Sequence, residues 1–480
     1  MTKSDGTRWE NYIGGSWQKP TGSKDIVILN PATGKHYQTV GSSSAADVNA
    51  AVEAARAAFK TRALYEMAPH ARMQLLFRIA NEIRALADEI VPVLVSENGK
   101  SVGFAKDEIE CAAQYFEYYG GIADKVFGKS IPLGGGYVDY TQMVPYGVSG
   151  QIVPWNFPLE IAARSIAPAL ACGCAVITKS PELSPMNMCF LATACERAGV
   201  PAGYFNLIAG YGNEAGEALV NHPGVDQLVF TGSVETGRRI LVNAAQRIVP
   251  AVVELGGKSA GIVYKDADTS AVASSAAIGI FAHAGQVCSA GSRLIVHESV
   301  HDEVVEKMQA WIKTKTMGIG AEDHFFTPMI SEAQRDKVER FALTAAQAGA
   351  TVATGGRRAD REGWFMQPTI LTDITPDMEV HQREVFGPVL SVTRFSEPEE
   401  ALEIANGTEY GLAAGVYTKD LNLAHWTADR LEAGTVFVNQ WFVGGNETPF
   451  GGFKKSGIGR EKGVEAMANY QQVRNIGIKL

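Results

Sequence analysis

The chain has 480 residues, two to three times a typical domain, so more than one lobe is expected. Its apolar share of 46% and charged share of 20% suit a globular protein that needs no disulfide or metal staple. A net charge of −9 argues against nucleic acid as a main partner, and six cysteines without a CxxC pair argue against a disulfide framework or a structural metal site.

Residues 1–6 lack an apolar secretory run, and no stretch reaches the ~18 uninterrupted apolar residues of a spanning helix, so a cytoplasmic location without membrane contact is expected. Amphipathic periodicity predicts helices over 44–60 and 69–98. From about 148 the pattern changes to short apolar runs alternating with helices. Strands are expected at 150–153, 174–179, 205–208 and 228–230. Helices are expected at 159–170, from Ser184-Pro185 (N-cap and N1) to 198, at about 214–220, and after Gly237. A second series follows, with strands at 261–264 and 293–296, helices at 270–284 and 300–313, and similar alternation to about 440. Regular βαβα alternation predicts two doubly wound α/β lobes, with a boundary near 245–258 and a site between them. Residues 470–480 have strand character. That strand either pairs with another subunit or forms an edge of its own lobe.

Four local features carry chemistry. Cys288, in Gly285-Gln286-Val287-Cys288, is surrounded by small residues that let a substrate approach a thiol nucleophile; a buried structural thiol is the plainer account. Glu254 ends an apolar strand and precedes Gly256-Gly257, where partial burial would tune a carboxylate as a base. Asn156 stands between two prolines in Pro154-Trp155-Asn156-Phe157-Pro158, which suits a rigid oxyanion donor or a turn asparagine. Phe230 to Gly237 places two glycines at a strand-to-helix turn, a setting for phosphate at a helix N-terminus, although the spacing is neither GxGxxG nor a Walker loop.

Taken together, PWNFP, KSPE, FTGSVETG, VELGGKS, GQVCSA, EVFGP and PFGGFKKSGIGRE stand in an order that closely resembles the NAD(P)-dependent aldehyde dehydrogenase superfamily over essentially the whole length. The resemblance implies an aldehyde dehydrogenase-like α/β fold with cofactor and catalytic lobes and a small β oligomerisation element. It places the NAD-binding domain at 1–123 and 143–254, the catalytic domain at 255–440, and the oligomerisation element at 124–142 and 465–480. It implies a homodimer or homotetramer.

By similarity, Cys288 attacks an aldehyde, the Asn156 amide and the Cys288 N–H hold the oxyanion, and Glu254 activates the water that hydrolyses the thioester. Cofactor contacts carried over are Ile152, Pro154, Trp155, Lys179, Ser180, Glu182, Gly212, Phe230, Gly232, Ser233, Thr236, Gly237, Leu255, Gly256, Glu384 and Phe386. Lys179 and Glu182 match contacts to the adenosine ribose, where a carboxylate repels a 2′-phosphate, so NAD is favoured over NADP. Ser233 matches a pyrophosphate contact, and Glu384 and Phe386 match residues at the nicotinamide ribose and ring.

Phe157, Arg164, Val287, Trp441 and Phe442 are expected to line the substrate pocket of a small polar or aromatic aldehyde, Trp441 and Phe442 on the loop over its entrance. Arg164 either binds a substrate carboxylate, as in a semialdehyde dehydrogenase, or pairs with Glu160 at i,i+4. A cysteine-dependent esterase or thioesterase using the same residues is the competing enzyme class.

Overall fold

The computed structural model describes residues 9–480, so the expectation drawn from residues 1–6 lies outside the described residues. Two large parallel sheets, each flanked by helices, make up most of the chain, as the alternation predicts. In the first, five parallel strands lie in the spatial order Phe205–Ala209, Ala175–Ser180, Val148–Ile152, Gln227–Thr231, Ala251–Glu254. Antiparallel strands extend both edges, Asn11–Ile13 with Ser16–Gln18 on one side and Gly457–Ile458 on the other. The second sheet runs Thr351–Thr354, Thr369–Thr372, Val389–Phe395, Arg293–His297, Ala260–Val263, Ala413–Tyr417, Thr435–Val438, parallel except for its first strand. The central strands of both sheets are buried on both faces and therefore read as continuous apolar runs.

Helix boundaries follow local chemistry where a cap is present. Ala45–Thr61 opens on a Ser44/Asp47 capping box and buries Val48, Ala51, Val52, Ala55 and Ala58 on one face. Val234–Arg247 starts before Gly237, because the Ser233 side chain accepts from the Thr236 N–H at 3.3 Å. The expected 69–98 helix is two, Pro69–Ala85 and Ala87–Asn98.

The Ser184 N-cap is not formed. The helix there is Asn187–Ala198, and its first N–H groups are taken by the buried Glu97 carboxylate, which accepts from Met186 N and Asn187 N at 3.1 Å each. Ser184 Oγ itself donates to Glu97 Oε1 at 3.0 Å. A carboxylate offers more acceptor sites than a hydroxyl, so the distant residue wins the cap.

The terminal strand Gln471–Lys479 pairs antiparallel with Tyr137–Pro145 of the same chain, from Gln471↔Pro145 to Lys479↔Tyr137. It is an edge strand of a three-stranded sheet completed by Ser130–Ile131. Among the described residues no helix is long and apolar enough to cross a membrane.

Candidate active site

Glu254 is the last residue of Ala251–Glu254, so the strand delivers its side chain to the C-terminal edge of the first sheet. It is 2% exposed, and Oε1 has no hydrogen-bond partner among the described residues. Burial holds its carboxyl well above the usual range; Glu461 and Glu384 push the same way, while Arg164 and Arg460 oppose. An unpartnered, desolvated carboxylate has an unmet demand for a proton donor such as water.

Cys288 comes from the second lobe, on a turn that follows helix Thr269–Phe281. The helix stops short of the expected 284 because His283, Ala284 and Gly285 are all left-handed, at φ 49°, 53° and 70°. Left-handed backbone costs roughly 1–2 kcal/mol for a residue with a Cβ, so surrounding contacts must hold it. Gln286 does this with both its backbone and its side chain. Its N–H and Nε2 donate to the His283 carbonyl at 3.1 and 3.3 Å, and its Oε1 accepts from Ile330 N at 2.9 Å. Just after Cys288, Trp441 Nε1 donates to the Ser289 carbonyl at 3.0 Å.

Gly257 packs directly on this turn: a Cβ there would lie 2.6 Å from the Cys288 carbonyl oxygen. The glycine after Glu254 therefore permits the approach of thiol loop and carboxylate strand. Cys288 is half-buried. Burial first, then Glu254, pushes its thiol above the ordinary value, while Arg164 and the Ser289 N–H pull it down. Burial therefore favours the neutral thiol over the thiolate.

Asn156 is 4% exposed, and its Nδ2 donates to the Gln286 carbonyl at 3.0 Å. An amide NH2 carries two hydrogens, so this bond fixes the group against the Cys288 loop and leaves a second hydrogen for another acceptor. The backbone on either side is held by residues that the sequence reading missed. Lys100 Nζ donates to the Asn156 carbonyl at 3.0 Å, and Asn98 Nδ2 to the Trp155 carbonyl at 2.6 Å.

A second group of residues gathers where the winding of the first sheet reverses, between Val148–Ile152 and Gln227–Thr231. That is where a crevice opens in a doubly wound sheet. Ile152 and Phe230 are register partners there. Lys179 and Ser180 end the adjacent strand. Burial lowers the Lys179 ammonium, and Glu182, 3.0 Å away, opposes that shift. Glu182 Oε1 also accepts from Gly212 N at 2.5 Å.

Gly232 and Ser233 lead into the 14-residue helix Val234–Arg247, with Thr236 and Gly237 in its first turn and the Ser233 hydroxyl at its cap. Pro154 and Trp155 follow Ile152, and the Trp155 ring meets Phe386 edge-on at 5.3 Å. Glu384 Oε1 accepts from Gly257 N at 3.0 Å, and burial pushes Glu384 up to about 7. After Leu255, the backbone at Gly256 lies so close that a Cβ would stand 2.3 Å from Glu384 Oε2.

These residues fit a dinucleotide. Two carboxylates can accept from ribose hydroxyls, a long helix N-terminus can receive a pyrophosphate, and the buried Ser180 hydroxyl has no hydrogen-bond partner among the described residues.

Two substrate-pocket expectations change. Arg164 does not pair with Glu160. It forms a buried ion pair with Glu461, although its Nε and Nη2 are not aligned as hydrogen bonds to that carboxylate. Burial is the largest influence and works against the guanidinium charge, but Glu461, together with Tyr115, Glu254 and Cys288, more than restores it. Second to burial, the charge of Glu160 instead acts to raise Lys462 and Cys111. Helical spacing put 160 and 164 near each other, but a carboxylate from the far end of the chain reaches the guanidinium and displaces that local pair.

Trp441 is 5% exposed, with its ring against Gly279, Gly291 and Gly415. It is buried behind the Cys288 loop rather than covering an entrance. Phe442 is exposed at φ 61°. Phe157 is half-buried, with Lys100 Nζ 4.3 Å from its ring centroid and His283 edge-on at 5.1 Å. Val287 packs partly buried on the catalytic core. Phe450, not singled out from sequence although it lies in the PFGG run, has Arg164 5.4 Å from its ring centroid.

The family model described as "Aldehyde dehydrogenase family" matches residues 17–476. An aldehyde dehydrogenase of Aspergillus niger is 40% identical over 486 residues, which is 100% of this chain and 98% of that protein. A mitochondrial benzaldehyde dehydrogenase of Antirrhinum majus is 39% identical, covering 97% of this chain and 88% of that one. The NAD+ complex structure of an aldehyde dehydrogenase from Bacillus cereus superimposes with a TM-score of 0.96 at 38% identity, covering 99% of this chain and 97% of that one.

Proposed function

Because this chain belongs to the aldehyde dehydrogenase family and catalyses nicotinamide-dependent oxidation of an aldehyde, we propose that Cys288 is its nucleophile, Asn156 its oxyanion donor and Glu254 its base. One observation carries the assignment. The Gln286 carbonyl ties the Asn156 amide to the Cys288 loop, beside a buried carboxylate with a free oxygen. Transfer of the thiol proton to Glu254, which passes it on to solvent before hydrolysis, lets the Cys288 sulfur bond to the aldehyde carbon, and the electrons of the C=O π bond move to the oxygen as an oxyanion. The remaining Asn156 N–H and the Cys288 backbone N–H receive that charge, an interaction worth roughly 2.7–4 kcal/mol per donor. When bound, the cofactor supplies a nicotinamide ring that accepts the hydride, which leaves a thioester on Cys288. Glu254 takes a proton from water as the water oxygen adds to the thioester carbon; the C–S bond then breaks, and the acid and the thiolate separate. Glu254→Gln keeps the shape and removes the base. Intact-mass spectrometry of that variant turned over with aldehyde and cofactor should show the acyl adduct on Cys288. Full turnover with no adduct would remove Glu254 from this role.

The cofactor is NAD in preference to NADP. Glu182, held by Lys179 and the Gly212 N–H, puts negative charge where a 2′-phosphate would come. In Glu182→Ser the NADP-to-NAD ratio of kcat/KM should rise at least tenfold; an unchanged ratio counts against this placement.

The substrate is a small neutral polar or aromatic aldehyde. The positive charge of Arg164 is already balanced by Glu461, which disfavours a semialdehyde carboxylate. We assign 1–123 and 143–254 to cofactor binding, 255–440 to catalysis, and 124–142 with 465–480 to assembly as a homo-oligomer.

A further inference from the structure

A fully buried ion pair enters the catalytic centre from helix Val102–Ile122 and the turn before it, and the chemistry above does not use it. The side chains of Lys100 and Glu108 have no solvent exposure and contact each other directly. Each also reaches a different side of the Asn156 segment. Lys100 Nζ donates to the Asn156 backbone carbonyl at 3.0 Å. Glu108 Oε1 accepts from Leu159 N at 2.9 Å and from Glu160 N at 3.4 Å. Those are early N–H groups of helix Pro158–Cys172, whose own N-cap residue, Phe157, offers no capping side chain. One ion pair therefore clamps the turn before this helix and supplies the missing cap after it.

Stability alone is a poor account of such a pair. Two charges taken from water recover little more than their desolvation cost, and apolar residues of similar volume do as well or better. A fixed backbone at Asn156 is what the charges provide and an apolar pair cannot.

We propose that Lys100 and Glu108 are positioning residues for the oxyanion donor, holding the Asn156 backbone so that the amide hydrogen left over from the Gln286 bond points at the substrate oxygen. The inference rests on the assignment of Asn156 above. The test is a mutant cycle read as the pre-steady-state burst of reduced cofactor, which reports acylation before hydrolysis. Lys100→Met with Glu108→Gln removes both charges together and leaves no stranded ion. In the otherwise native enzyme this pair of changes should slow the burst about ten- to a hundredfold, the scale of a small misplacement of a catalytic group. Cofactor Kd and the rate of Cys288 alkylation should stay within about twofold. In an Asn156→Ala background, the same changes should cost less than about twofold, because the group they aim is gone.

Equal losses in both backgrounds would overturn the inference. So would an unchanged burst in the otherwise native enzyme while Asn156→Ala alone is slow. A full burst in Asn156→Ala alone would instead overturn the oxyanion assignment, and the inference with it. If the two-residue variant does not fold, Glu108→Gln alone enters the same cycle. It keeps an acceptor for Leu159 N and uncharges the anchor of Lys100, with the same criteria for support and refutation.

Discussion

Arg164→Met probes the charge balance around the base. Arg164 and Glu461 side chains are 6% and 3% exposed, so removing the guanidinium strands a carboxylate in a dry interior. Breaking a buried pair from one side costs about 3–5 kcal/mol. At roughly 2–4 °C per kcal/mol for a domain of this size, that is about 6–20 °C in Tm. Methionine preserves most of the side-chain bulk, so a cavity adds little to this figure. The companion Arg164→Met/Glu461→Gln removes both charges and leaves residue 461 an acceptor for Ser165 Oγ, now 3.1 Å from Glu461 Oε1. It should recover to within about 1 kcal/mol of the native protein.

The same variant reports on chemistry. Arg164 is the strongest influence opposing the upward shift of Glu254. Without it the carboxyl rises further, and because hydrolysis needs the ionised form, the acid limb of the pH–rate profile moves to higher pH. Thermal unfolding of the two variants, with single-turnover acyl hydrolysis measured across pH, tests both parts. A single variant as stable as the double one, with an unmoved acid limb, would refute the reasoning.

Other outcomes follow from named contacts. Glu384 is raised to about 7 by burial and is ionised above that value, so if it accepts from ribose hydroxyls as proposed, the charge that strengthens those bonds is lost as pH falls through about 7. Cofactor Kd, followed by fluorescence, should therefore rise towards low pH in the native protein and vary little with pH in Glu384→Gln. Trp441→Ala should cost about 3–5 kcal/mol, as expected for a large buried aromatic. It should lower kcat by loosening the loop at Ser289 while leaving the ranking of a panel of aliphatic and aromatic aldehydes unchanged. A changed ranking with full stability would return Trp441 to the pocket.

Much of this protein was determined by local sequence. The period of apolar residues set the two α/β lobes, because strands buried on both faces must be continuously apolar and the helices between them amphipathic. Cys288, Glu254 and Asn156 were legible because each sits beside residues with strong backbone preferences: glycines that admit a close approach and prolines that stiffen a turn. Partners contributed by distant segments were not legible. Arg164 takes Glu461 rather than Glu160, and the helix after Ser184 takes its cap from Glu97. Lys100 and Glu108 reach the Asn156 turn from helix Val102–Ile122 and the turn before it, a stretch for which the sequence reading gave no element. In each case a buried charge is committed to whichever opposite charge or donor the packed fold brings within reach, since leaving it unpaired in a dry interior costs several kcal/mol. That choice depends on three-dimensional proximity between segments far apart in the chain, and spacing along the sequence does not encode it.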